Sequence, residues 1–181
     1  MQRYPVVILG LALAAIAGCA AKSTVNEVEV ETIAVKLTGE TQKGQYRLVK
    51  AEQLKAWMDA GKPMLIVDTM PFADSYQIQH LPGAVQFELP IAEANELDAA
   101  TRTRLETLLG ADKNRTLVFY CGYTKCGRSH NGAMWAVKLG YTNVYRFPGG
   151  VNAWMAAGYP VESASAAAAA AGARGAGCSA C

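Results

Sequence analysis

Leu117-Val118-Phe119-Tyr120-Cys121-Gly122-Tyr123-Thr124-Lys125-Cys126-Gly127-Arg128-Ser129 is the stretch that decides the fold. Residues 117–120 are four consecutive apolar side chains, the pattern of a strand covered on both faces in a parallel sheet. A short loop with glycine at 122 and 127 follows, and residues 129–139 read as a helix. In an open parallel sheet, ligand sites lie just beyond the carboxyl ends of strands. Cys121 stands at such an end.

Working outward, the same alternation recurs. Residues 64–67 (Met-Leu-Ile-Val) form a second apolar run ending at Asp68, and shorter strands are expected at residues 46–49, 84–87 and 143–147. Helical spacing marks residues 51–60, where Leu54, Trp57 and Met58 share a face, and helices are expected over residues 93–109 and 151–157. Strands alternating with helices define an α/β domain with a central, largely parallel sheet flanked by helices. Residues 25–37 carry Val28, Val30, Ile33, Val35 and Leu37 in near-alternation with one slip, which predicts an extra strand or a spacer, with Glu27, Glu29 and Glu31 on its solvated face. Trp57, Trp135 and Trp154 fall on predicted helices and are expected in or at the edge of the core; Asp68 and His80 are expected to brace loops.

The two ends differ from the middle. Met1-Gln2-Arg3 is a short cationic start, and residues 6–17 are an apolar run of signal-peptide length, too short to span a bilayer. It closes on Ile16-Ala17-Gly18-Cys19, which resembles a bacterial lipobox. The expectation is a signal segment at residues 1–18, acylation at Cys19, a spacer at residues 19–45, and a chain anchored to the cell envelope facing the periplasm. Ala20 follows the cysteine where an inner-membrane retention signal would put Asp, so the outer membrane is expected. After Val161, residues 162–181 turn to Ser, Ala and Gly, with too few large apolar groups to join a core; they read as a tail ending in Cys178-Ser179-Ala180-Cys181.

At 181 residues, 51% hydrophobic, the chain builds one full core. Its formal charge is +2; removing residues 1–18 takes away Arg3 alone, leaving 16 basic against 15 acidic groups, or +1. That near-balance argues against nucleic acid as a partner.

The chemistry converges on Cys121. A loop leading into a helix N-terminus presents backbone N–H groups and partial positive charge, which favour a thiolate or a bound oxyanion. Lys125 and Arg128 are expected to add cations and lower the thiol pKa, with His130 as a further candidate. Cys126 is a resolving thiol if the loop lets it approach Cys121, and otherwise a pocket-lining thiol or half of a static disulfide. The tail pair Cys178 and Cys181 is a dithiol that would reduce Cys121, accept sulfur from it or bind a soft metal; two ligands are too few for a structural zinc site.

Four pieces together resemble the rhodanese-like sulfurtransferase family over residues 46–161. They are Leu65-Ile66-Val67-Asp68; His80-Leu81-Pro82-Gly83-Ala84; Phe119-Tyr120-Cys121 with Arg128-Ser129; and Leu139-Gly140-Tyr141 through Pro148-Gly149-Gly150-Val151-Asn152-Ala153-Trp154. The resemblance implies that Cys121 takes a sulfane sulfur as a persulfide and hands it to a thiol-type acceptor. The loop Gly122, Tyr123, Thr124, Lys125, Cys126, Gly127 and Arg128 would hold a small sulfur-containing anion such as thiosulfate. No cofactor or metal is implied. Two departures stand out: six residues separate Cys121 from Arg128 where the family commonly has four, and Met70 replaces the Arg that often follows the strand-end Asp. A thiol-disulfide or oxyanion reductase built on Cys121 and Cys126, or a non-enzymatic sulfur or metal carrier built on the tail, are the other readings.

Overall fold

The computed structural model describes residues 26–164. Cys19, Cys178 and Cys181, with the expected signal segment, lie outside them. Five strands, β1 (Arg47–Leu48), β2 (Leu65–Asp68), β3 (Val85–Gln86), β4 (Leu117–Tyr120) and β5 (Val144–Phe147), form one sheet in the order β1-β5-β4-β2-β3, every pairing parallel. Five helices accompany them: α1 (Glu27–Gly44), α2 (Ala51–Asp59), α3 (Ala99–Leu109), α4 (Arg128–Lys138) and α5 (Gly150–Ala156). A single π-helical turn, Phe72–Tyr76, follows β2.

The alternation of a strand sorts β4 onto two cores. Leu117 and Phe119 pack with Leu105, Leu109, Met134 and Trp135 from α3 and α4. Val118 and Tyr120 pack on the opposite face with Leu54, Val151 and Trp154 from α2 and α5. Because β4 is central and buried at every position, its C-terminal end is held by neighbours on both sides, Asp68 of β2 beside Tyr120 and Phe147 of β5 beside Tyr120. Cys121 emerges there.

Three sequence expectations need correction. Residues 27–44 form a helix, not a strand. Asn26 caps it by accepting from the Glu29 N–H at 3.3 Å, and the inward positions Ile33, Leu37, Glu40, Thr41 and Gly44 lie at helical spacing. Val28, Val30 and Val35, which suggested alternation, are exposed. Within residues 93–109, only α3 is helical. Asn131 explains why: its side-chain N–H groups donate to the carbonyls of Pro90 (2.7 Å) and Ala92 (2.8 Å), its Oδ1 accepts from Ala94 N–H at 3.3 Å, and Asp98 then caps α3. Finally, Glu162 belongs to the folded body rather than the tail, exchanging backbone hydrogen bonds of 2.9 Å with His80. Among the described residues, no helix is long and apolar enough to cross a membrane.

Candidate active site

Cys121 leaves β4 with its side chain fully buried, and its Sγ faces three oxygens: Ser129 Oγ at 3.1 Å, Cys126 O at 3.5 Å and Tyr123 O at 3.7 Å. The Cys121 carbonyl accepts from Val151 N–H at 3.0 Å and the Gly122 carbonyl from Asn152 N–H at 3.0 Å, so the β5–α5 turn pins the start of the loop. That contact requires glycine at 150: φ is +58°, and a Cβ there would lie 1.9 Å from Cys121 O. At the far end, a Cβ on Gly127 would lie 2.3 Å from Ile91 O, so the residue 90–92 segment seats directly against the loop.

Sequence reasoning missed the cation at the centre. Arg146 of β5 has no exposed surface, and its guanidinium is surrounded by oxygens. Nε donates to Ser129 Oγ at 2.9 Å, Nη2 to the carbonyls of Cys126 (3.0 Å) and Thr124 (3.5 Å), and Nη1 to Tyr46 Oη (3.3 Å) and Glu40 Oε2 (2.5 Å). With Ser129 Oγ accepting from Arg146, the Ser129 hydroxyl is free to donate to Cys121 Sγ. The signal was a charged residue inside the otherwise apolar run Val144-Tyr145-Arg146-Phe147.

The two predicted cations have carboxylate partners of their own, and Arg128 still lends its charge to Cys126. Lys125 pairs with Glu29 of α1 at 2.6 Å on the surface. Arg128 turns to Glu88 at 3.3 Å and to the Leu89 carbonyl. His130 is buried, and desolvation holds its imidazole below the ordinary range; Nδ1 accepts from Tyr46 Oη at 2.8 Å and Nε2 meets Glu93 at 3.3 Å, so it is a neutral brace and supplies no charge. Helix α1, read as a spacer, thus contributes Glu40 to the buried Arg146, Glu29 to Lys125, and Lys36 to the Lys125 carbonyl at 3.5 Å. Tyr123 is exposed at the rim, and Gly122 backs onto Met70.

Cys126 is also buried, and its carbonyl oxygen lies 3.5 Å from Cys121 Sγ. The two thiols titrate as one pair. The Cys121 hydrogen bond brings Cys126 down to about 6 against the opposing effect of burial, helped by the backbone N–H and the charge of Arg128 and by the Gly122 N–H. Cys121 is pushed far up by its bond to Cys126 and by burial, against the opposing pull of the Ser129 hydroxyl and N–H. The expectation that Cys121 alone is the lowered thiol is therefore corrected: the charge that amides and helix start stabilise belongs to the pair. Both cysteines are free thiols. The loop thus surrounds the thiol pair with the Ser129 hydroxyl, the N–H groups of Ser129, Arg128 and Gly122, and the carbonyls of Tyr123 and Cys126.

Asp68 and His80 brace loops as expected. Asp68 Oδ1 accepts from Met70 N–H at 2.8 Å, with burial raising its carboxyl, and the His80 ring stacks on Tyr76 at 3.9 Å. Trp135 and Trp154 are core residues and Trp57 sits at the core edge. Among the described residues, no group of three or more His, Cys, Asp or Glu could hold a metal.

A parallel five-stranded sheet with a cysteine loop at the end of its central strand defines the class. The rhodanese-like domain model matches residues 50–157, and the chain belongs to that family. Solved structures agree on the fold. A thiosulfate sulfurtransferase from Pseudomonas aeruginosa is 22% identical with a TM-score of 0.54, covering 72% of this chain and 23% of its own, so this chain spans about a quarter of that protein. The 30 kDa polysulfide-sulfur transferase homodimer from Wolinella succinogenes is 12% identical with a TM-score of 0.53, covering 77% and 93%. A Rhodopseudomonas palustris protein of unknown function, described as a possible tyrosine phosphatase, is 21% identical with a TM-score of 0.53, covering 72% and 93%. None of the curated proteins matches the sequence.

Proposed function

We propose that the protein is a sulfurtransferase that moves sulfane sulfur from a small anionic donor such as thiosulfate to a thiol acceptor through a persulfide on Cys121. The observation that carries this reading is the Cys121 sulfur at the end of β4, 3.1 Å from a Ser129 hydroxyl that Arg146 orients. In the singly ionised Cys121–Cys126 pair, the Cys126 thiolate takes the Cys121 proton and leaves the thiolate on Cys121. Cys121 sulfur attacks the outer sulfur of thiosulfate, a new S–S bond forms, and the donor's own S–S bond breaks with sulfite leaving on the electron pair. The backbone N–H of Ser129 and its hydroxyl hold the negative charge that remains on the bound sulfur. The Pseudomonas and Wolinella proteins, named for thiosulfate and polysulfide, support this class of donor. Cys121→Ser is expected to abolish sulfur transfer from every donor the native protein uses; full retention would refute the reading.

In the same reading the protein works in the bacterial envelope, anchored through acylated Cys19 and facing the periplasm from the outer membrane. The lipobox-like Ile16-Ala17-Gly18-Cys19 motivates this. Cells fed labelled palmitate should label the native chain and leave Cys19→Ser unlabelled; equal labelling would reject the anchor.

A further inference from the structure

Beyond sharing a proton with Cys121, Cys126 has no part in the transfer just described, yet it is placed with care. Its carbonyl accepts from the buried Arg146 at 3.0 Å, its N–H closes a turn onto Tyr123 O at 3.1 Å, and Gly127 after it seats against Ile91 with no room for a side chain. These contacts hold Cys126 beside a Cys121 that has no exposed surface, with Cys121 Sγ 3.5 Å from the Cys126 carbonyl oxygen. Cys126 competes with any external thiol acceptor for the persulfide, and it does so at high effective concentration because it belongs to the same loop.

We propose that Cys126 resolves the Cys121 persulfide, so that the protein releases the donor's sulfane sulfur as hydrosulfide and is itself left with a Cys121–Cys126 disulfide. This rests on persulfide formation at Cys121. Cys126 passes its proton to the outer sulfur, and the Cys126 thiolate attacks the inner sulfur, that of Cys121. The persulfide bond breaks, and the outer sulfur leaves with the electron pair as hydrosulfide. The two cysteines together give up two electrons, and the sulfane sulfur gains them. With thiosulfate as donor, thiosulfate and two thiols become sulfite, hydrogen sulfide and one disulfide. With Cys121 Sγ already 3.5 Å from the Cys126 carbonyl, a rotation of the Cys126 side chain within the loop brings the sulfurs to an S–S bond of about 2.05 Å. A dithiol reductant then restores both thiols by exchange, with Cys126 the more accessible sulfur for it to reach. The backbone N–H groups of Arg128 and Gly122, which favour the Cys126 thiolate, support its role as the attacking group.

The test is a single turnover of the reduced full chain, freed of reductant and given one equivalent of thiosulfate, with released hydrosulfide trapped and cysteine peptides mapped by mass. The native protein should release close to one hydrosulfide per chain and show a Cys121–Cys126 link two hydrogens lighter than the dithiol. Cys126→Ser should stop one sulfur atom heavier on Cys121, with hydrosulfide release slowed by about two orders of magnitude, the loss expected for an intramolecular nucleophile. A native protein that keeps the extra sulfur on Cys121 with Cys126 still open to alkylation overturns the proposal. So does a link from Cys121 to Cys178 or Cys181. If neither protein ever carries extra sulfur or releases hydrosulfide, the transfer reading itself fails and the resolving step falls with it.

Discussion

Arg146 Nε lies 2.9 Å from Ser129 Oγ, and that hydroxyl lies 3.1 Å from Cys121 Sγ, so a guanidinium with no exposed surface orients the donor facing the reactive sulfur. Ser129→Ala removes the hydroxyl. A hydrogen bond to a charged group is worth about 1.5–3 kcal/mol, so sulfur loading on Cys121 at neutral pH should slow by roughly ten- to a hundredfold. Single-turnover loading rates across pH check this; an unchanged rate would show that the hydroxyl does not bear on the thiolate.

Glu40 offsets the buried charge of Arg146. Removing one partner of a buried pair leaves the other uncompensated, at a cost of about 3–5 kcal/mol. Glu40→Gln, which keeps an acceptor oxygen, should fall at the low end of that range, and Glu40→Leu at the high end. Denaturant unfolding monitored on the three tryptophans measures both. Equal stability of all three proteins would show that α1 does not support the site.

The thiol pair sets a pH dependence. Cys126 falls from an ordinary 9 to about 6 on folding, so the folded protein binds fewer protons than the unfolded chain between those values. Its contribution to stability is complete above about 9, declines as pH falls toward 6 and is absent below. Cys121 moves the other way, and its contribution is lost as pH rises past the ordinary thiol value. Unfolding free energy should therefore rise from about pH 6 to about pH 9 and fall above it. Cys126→Ser should flatten the rise; a native protein with a flat profile contradicts the shared-anion arrangement.

Much of this architecture is legible in the amino acids, and the failures have physical causes. Leu117, Val118, Phe119 and Tyr120 form a run that only burial on both faces explains, and the neighbouring strands and α2, α4 and α5 follow from the same logic. Helix α1 was misread because its exposed valines alternate, while the stripe that packs inward includes the polar Glu40 and Thr41 and the small Gly44. A polar inward stripe exists because it meets Arg146, and nothing local to residues 27–44 announces a partner a hundred positions away. The reactive loop was legible as a cysteine loop at a strand end. Its electrostatics were legible in part: the Arg128 charge helps lower Cys126, while Lys125 is drawn to Glu29 and the buried cation that orients Ser129 and the loop carbonyls comes from β5. Side-chain proximity across a parallel sheet follows register, Phe119 beside Arg146, and not sequence spacing.

The central claim is that Cys121 carries the sulfur. The full chain is incubated with thiosulfate and separately with an alkyl polysulfide; open thiols are blocked, and every cysteine peptide is mapped by mass spectrometry in the native protein and in Cys126→Ser. The account predicts one extra sulfur atom on Cys121 in Cys126→Ser, and its resolved product, the Cys121–Cys126 link, in the native protein. Extra sulfur confined to another cysteine, or a Cys121 that never acquires any with either donor, would contradict it.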